Sequence, residues 1–203
     1  MSGLPAGQEQ ALPLCRSGKG NITMALPSTI YRVSIQLSNV DRGVYEALTT
    51  TAARHPSETA ERLVTRLLAY ALFYEPELLF TKGVSAGDEP DLWVKGADGR
   101  VLLWVEVGLP ESERLLKACR HAERVVLVAC GNSLPHWERQ QLRKLTTAAN
   151  LTVISFDQSF INRLASLVAR VISWEFTLSD GVIYLTAAGE SLETLLPVRI
   201  GTY

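Results

Sequence analysis

Residues 90–110 read PDLWVKGADGRVLLWVEVGLP. The run Gly96-Ala97-Asp98-Gly99 carries two glycines and an aspartate and reads as a tight turn. It separates a short strand over Asp91–Val94 from an apolar strand over Val101–Val107, which predicts an antiparallel hairpin. Asp91 lies five residues before Gly96 and Glu106 seven residues after Gly99, so both carboxylates reach the open end of the hairpin. Glu106 sits among apolar neighbours, where a carboxylate is costly unless it is paired or bound to a metal. Two carboxylates converging there make a hard-oxygen site suited to Mg²⁺, which takes one or two carboxylates together with water and substrate phosphate. The plainer reading makes Asp91 an ordinary residue after a loop and Glu106 a solvent-facing strand residue. The residues alone leave both open.

Upstream, Ser28–Leu37 (STIYRVSIQL) sets Tyr31, Val33, Ile35 and Leu37 on one face, the alternation of a half-buried strand. Turn residues over 39–43 lead to a second strand at Val44–Arg54, giving another hairpin. His55-Pro56-Ser57-Glu58 reads as a helix start with Ser57 as cap, and Ala60, Leu63, Val64, Leu67 and Ala71 continue a helix over 57–74. Leu78–Thr81 is a short apolar run, and 83–90 is a loop. Downstream, helices are predicted over 111–121, 134–148 and 157–167. Strands are predicted over 124–130, 151–156, 171–178, 181–185 and 192–198. Strands alternate with helices in the middle and pair as hairpins at the ends, so the fold class is α/β with a mixed sheet flanked by helices.

The chain has 203 residues, 47% hydrophobic and 20% charged, with a formal charge of −1. This fits one folded domain and excludes a polybasic protein that would attract nucleic acid over its whole surface. No apolar run approaches the ~18 residues of a membrane span. Cys15, Cys119 and Cys130 are too few and too scattered for a disulfide framework, which points to a reducing, cytoplasmic compartment. Residues 1–23 are rich in Gly, Pro, Ser and Gln without period. They are expected to be a disordered extension, consistent with a start codon assigned too far upstream, ahead of a single domain over 24–203.

Other chemistry is weaker. Cys119, His121, Cys130 and His136 lack the close pairing of a structural zinc site. Gly18-Lys19-Gly20 follows no strand and opens no helix, so it is no phosphate loop. Trp93, Trp104, Trp137 and Trp174 are expected in the core or on sheet faces rather than as base-stacking platforms. Arg114, Lys117 and His121 recur along one face of their helix, while Leu115, Ala118 and Cys119 form the other. A solvated face is the plain account of the basic row.

The order helix, hairpin with Pro-Asp then Glu, helix and buried strand resembles the PD-(D/E)XK nuclease superfamily. More specifically, the chain resembles the YaeQ family. The likeness runs from Met24 to about Val198 and rests on five stretches: Ala53–Thr59, Asp88-Glu89-Pro90-Asp91, Gly108-Leu109-Pro110, Lys117-Ala118-Cys119 and Asp180-Gly181-Val182-Ile183. It implies a restriction-endonuclease-like mixed sheet, with the N-terminal hairpin and C-terminal strands as additions. It also implies metal-assisted phosphodiester cleavage. Asp91 and Glu106 would hold Mg²⁺ or Mn²⁺, Glu58 would be the helix carboxylate, with Glu61 on a neighbouring bearing, and a lysine would serve the attacking water. The pattern departs at that lysine, since Glu106-Val107-Gly108 has glycine where Glu-x-Lys is expected. Lys117, on the following helix, is the candidate replacement. Arg54 and Arg114 are candidate phosphate contacts, within a basic rim of Arg54, Arg114, Lys117, Arg120 and Arg124; His55 is either a further contact or a hydrogen-bonded structural residue. Nucleic acid is the expected partner; protein partners are not indicated. The alternative is a catalytically inactive nuclease-fold protein serving as a binding or regulatory module.

Overall fold

A computed structural model describes residues 27–81 and 89–203. The expected extension over 1–23, Gly18-Lys19-Gly20, Cys15, Asp88 and most of the loop over 83–90 lie outside the described residues.

The expected N-terminal hairpin is β1 (Thr29–Asn39) with β2 (Val44–Arg54), and Tyr31, Val33, Ile35 and Leu37 of β1 are buried. Helix α1 (Ala60–Leu72) starts later than Ser57. Thr59 is its cap, accepting from Arg62 N at 3.2 Å, while the Ser57 amide donates to His55 Nδ1. His55 is thus a local turn partner, and Glu58 stands ahead of the helix. Leu79–Phe80 forms β3, and the central hairpin follows as β4 (Leu92–Lys95) and β5 (Val101–Val107). Then come α2 (Ser112–His121), β6 (Ala122–Ala129), α3 (Leu134–Trp137), α4 (Arg143–Leu145), β7 (Leu151–Ser155) and α5 (Gln158–Ser166). A wide π-helical turn, Glu138–Leu142, joins α3 to α4 in place of the single helix expected over 134–148. Trp137, Gln141 and Leu145 are all buried at four-residue spacing, along one face of this segment. The last strands are β8 (Val171–Ser179), β9 (Val182–Ala187), β10 (Glu190–Leu195) and β11 (Val198–Ile200).

The expected single sheet is in fact two, both mixed. The outer sheet runs β10-β9-β8-β1-β2 and the central one β11-β7-β6-β5-β4-β3. The additions are therefore not trimmings on one sheet: β1 and β8 pair in parallel and make a sheet of their own. Burial explains the division. In β1 and β8, buried and open residues alternate, the mark of a sheet covered on one face, whereas Val125–Ala129 of β6 is buried throughout, as a strand covered on both faces must be. The single strand expected over 192–198 is split at Pro197, which has no amide for a ladder. The chain leaves the outer sheet at Leu195 and rejoins the central one at Val198.

Between the sheets lies α1, buried on every side from Leu63 to Leu72, as a helix enclosed by two apolar surfaces must be. It shares one core with α5, the inner face of the outer sheet, and Leu92, Val94, Leu103, Val105 and Val107 of the central hairpin. The opposite face of the central sheet, with Val125, Leu127, Leu151 and Val153, packs on Leu115 and Ala118 of α2, on Trp137 and on Leu145. The order of layers is sheet, helix, sheet, helix. No described helix is long and apolar enough to cross a membrane.

Tyr203 ties three parts together. Its hydroxyl donates to Leu72 O at 2.7 Å and accepts from Asn39 Nδ2, and its ring meets Phe73 edge-on. Asn39 is 1% exposed. Tyr203→Phe therefore strands a buried amide group and should lower stability by about 1–2 kcal/mol. Urea denaturation should register this as a lower midpoint at unchanged slope; an unmoved midpoint would show that the tie carries no weight.

Candidate functional site

At the open end of the central hairpin, Asp91 and Glu106 each face an arginine, Asp91 together with Glu58 on Arg62 and Glu106 on Arg114. Asp91, 1% exposed, sits where the ladder gives out at the head of β4. Its Oδ2 accepts the Val107 amide at 2.8 Å, and Arg62 Nη2 reaches both its oxygens at 2.8 and 2.9 Å. The same guanidinium contacts Glu58 Oε1 through Nη1 at 3.3 Å and Val107 O through Nη2 at 3.3 Å. Glu58 is also buried; Arg66 Nε lies 3.0 Å from its Oε1 without being aimed at it, so that contact is an ion pair and not a hydrogen bond. Arg66 directs Nη2 to Ala53 O at 2.8 Å instead.

Glu106 points to the α2 side of the sheet. Arg114 Nε donates to its Oε1 at 2.9 Å, Arg114 Nη2 to its Oε2 at 3.2 Å, and Trp104 Nε1 to Oε2 at 3.0 Å. Burial pushes the Glu106 carboxyl above its ordinary value of 4.5; Arg114 pulls it back without cancelling the rise, and the nearby charge of Asp91 adds to it. Burial pulls Arg62 down, yet Asp91 and Glu58 outweigh it and the guanidinium ends raised. Arg66, more deeply buried, ends lowered, because desolvation outweighs Glu58. Cys130 is held up by burial beside Thr65 and Arg62 and behaves as a core thiol.

Gly108 stands where the resemblance expects a lysine. Its φ is +112°, a backbone setting that side chains rarely adopt, and a Cβ built there would point at Arg62 Nε, 4.0 Å away. Arg62 borders the space into which a side chain at 108 would project. Sequence reasoning missed it, although its position four residues after Glu58 is the ordinary spacing of an ion pair. Trp104 and Arg66 were also missed as partners of the acids.

The other expected residues fall as follows. Arg114 joins the cluster. Lys117 is exposed one turn further along α2 and lines, with Trp104, Arg114, Ala118 and His121, a cavity of about 210 Å³. Arg54 donates to Glu58 O at 2.8 Å and so supports the turn before α1. Arg120 is exposed on α2. Arg124 departs from the expected rim: it lies at the start of β6, paired to Glu75 at 2.7 Å, away from Glu106.

Among the described residues no three His, Cys, Asp or Glu side chains are grouped to hold a metal. What is on offer is a pair. Asp91 Oδ1 and Glu106 Oε1 each have one described donor, Arg62 and Arg114 respectively, so each keeps lone-pair capacity for a hard cation. In kind, this donor set fits Mg²⁺ or Mn²⁺.

The class these features define is a mixed α/β protein of two sheets about a buried helix, with an acid–arginine cluster at one hairpin end. The family model described as YaeQ protein matches residues 24–196. The "Uncharacterized protein YaeQ" of Salmonella typhi is 37% identical over 174 residues, 85% of this chain and 96% of that protein. Its counterpart in Escherichia coli K12 is 36% identical over the same shares. Among solved structures, the YaeQ protein of Pseudomonas syringae is similar at TM-score 0.82 and 41% identity, covering 86% of this chain and 97% of that one. The YaeQ protein of Xanthomonas axonopodis pv. citri is similar at 0.83 and 35%, covering 86% and 99%. The chain belongs to the YaeQ family.

Two outcomes test the cluster. Arg62→Met leaves Asp91 buried without its guanidinium and should cost about 3–5 kcal/mol of stability, part of it recovered in the double variant with Asp91→Asn. Glu106 holds its proton to higher pH folded than unfolded. Its contribution is therefore fully present below its ordinary value and is lost as pH rises through the raised one. Urea midpoints followed from about pH 4 to about pH 8 should fall more in the wild type than in Glu106→Gln; parallel curves would contradict the raised value.

Proposed function

We propose that the protein is a metal-assisted phosphodiester hydrolase with the restriction-endonuclease-like arrangement of the PD-(D/E)XK type, acting on nucleic acid. The observation that carries this reading is that Asp91 and Glu106 stand at the same end of the central hairpin, with Glu58 and the Arg62 guanidinium beside Asp91 and Arg114 beside Glu106. Asp91 and Glu106 would hold Mg²⁺ or Mn²⁺, which when bound polarises a phosphate and lowers the pKa of its water.

The chain's own groups would do the rest. Asp91 is oriented by the Val107 amide and by Arg62, so its free lone pairs keep one direction. Arg62 and Arg114, 21% and 31% exposed, offer fixed positive charge to phosphoryl oxygens as negative charge builds there. A guanidinium keeps its proton, so neither arginine serves as a base. Lys117 is the candidate to orient the attacking water from α2. Glu58 faces Arg62 and Arg66 and acts as a positioning residue for them.

A second reading, a non-catalytic binding or regulatory module, is favoured by one observation: every acid of the cluster already faces an arginine. Melting curves with rising Mg²⁺ or Mn²⁺, beside cleavage assays on single- and double-stranded DNA and RNA, separate the two. The hydrolase reading expects ion-dependent stabilisation, lost in Asp91→Ala with Glu106→Ala, and strand cleavage that falls in Lys117→Ala. Melting curves that ignore both ions, with every strand intact, would leave the module.

A further inference from the structure

Sheet pairing sets Leu79 opposite Trp93 and Trp93 opposite Trp104. The row crosses β3, β4 and β5 on the α2 side of the central sheet, the side to which Glu106 also points. Of the four tryptophans, Trp137 and Trp174 are buried, whereas Trp93 and Trp104 are only partly covered and Leu79 is 57% exposed. Beside Trp104, at the β5 end of the row, stands the basic face of α2. Arg114, Lys117 and His121 line the cavity of about 210 Å³ whose wall is Trp104. The Arg114 guanidinium stands 5.9 Å from the Trp104 ring centre, and Lys95 Nζ lies 3.5 Å over that of Trp93.

We propose that this groove binds single-stranded nucleic acid, with a base stacked at Trp104 and its phosphodiester on Arg114, Lys117 and His121. Flat aromatic walls beside cationic side chains suit a nucleotide, since every base has a π-face and every link a charge. The cavity admits one planar group at a time, and a base reaches it only when unstacked from its neighbours. The cationic groups here belong to one helix face around one indole, narrower than the broad basic surface that reads a duplex through its backbone. Arg114 joins groove and acids: a phosphate it holds lies beside Glu106, to which its Nε already donates. The groove thus names the form of substrate for the hydrolase reading and rests on that reading only for the strand's fate.

The test uses the full chain in EDTA, with labelled oligothymidylate and the same strand annealed to oligoadenylate, followed by anisotropy and tryptophan fluorescence. The single strand should bind and quench, and the duplex should bind at least about ten-fold more weakly. Trp104→Leu should weaken the single strand by roughly ten-fold or more, the scale of one stacked base. Because Trp104 also bonds Glu106, the exposed substitution His121→Glu provides a second arm and should weaken the strand while leaving the melting curve unchanged. Equal affinity for the duplex, binding indifferent to both substitutions, or no binding would each overturn the groove. Binding with quenching but no cleavage in Mg²⁺ upholds the groove and removes the hydrolase; cleavage indifferent to both substitutions does the reverse.

Discussion

One guanidinium holds the polar end of this molecule together. Arg62 extends from the first turn of a helix enclosed between two sheets. It meets the carboxylate of the turn before that helix, the carboxylate at the head of β4 and the last carbonyl of β5. Buried charges of one sign repel and resist desolvation; a planar five-donor group shared among them relieves both at once. The relief is uneven. Glu106, on the opposite face of the sheet, relies on Arg114 and an indole and retains a raised proton affinity. The cluster is balanced around Asp91 and under-compensated at Glu106, and that asymmetry gives the hairpin end its chemical character.

Much of the fold was legible from period alone. The Gly96–Gly99 turn and its flanking strands, the N-terminal hairpin and the parallel strands joined by helices follow from alternation, turn residues and continuous apolar runs. The number of sheets was not read from element order, although β1 and β8 alternate in burial and β6 does not, and that contrast was present in the residues. The helix start was misplaced because His55 engages the Ser57 hydroxyl and leaves Thr59 to cap. The π-helical turn has no local sign in the residues over 134–148.

The site was half legible. Asp91 and Glu106 were found by counting outward from a turn, a local argument that tertiary structure hardly disturbs. Arg62, Arg66 and Trp104 were not found, because a charged residue on a helix and an aromatic on a strand have ordinary explanations until the packing is known. The backbone at Gly108 favours glycine, and Arg62 approaches it from a different element.

The segment from Glu190 to Tyr203 belongs to both sheets in turn, and β1 finds its parallel partner β8 far along the chain. Folding kinetics inherit this arrangement. During synthesis the early hairpin has only α1 to cover its apolar face, and neither sheet is complete until nearly the whole polypeptide has left the ribosome. Such long-range pairing slows the search and prolongs exposure of adhesive surface. This architecture makes for a late assembly of both sheets.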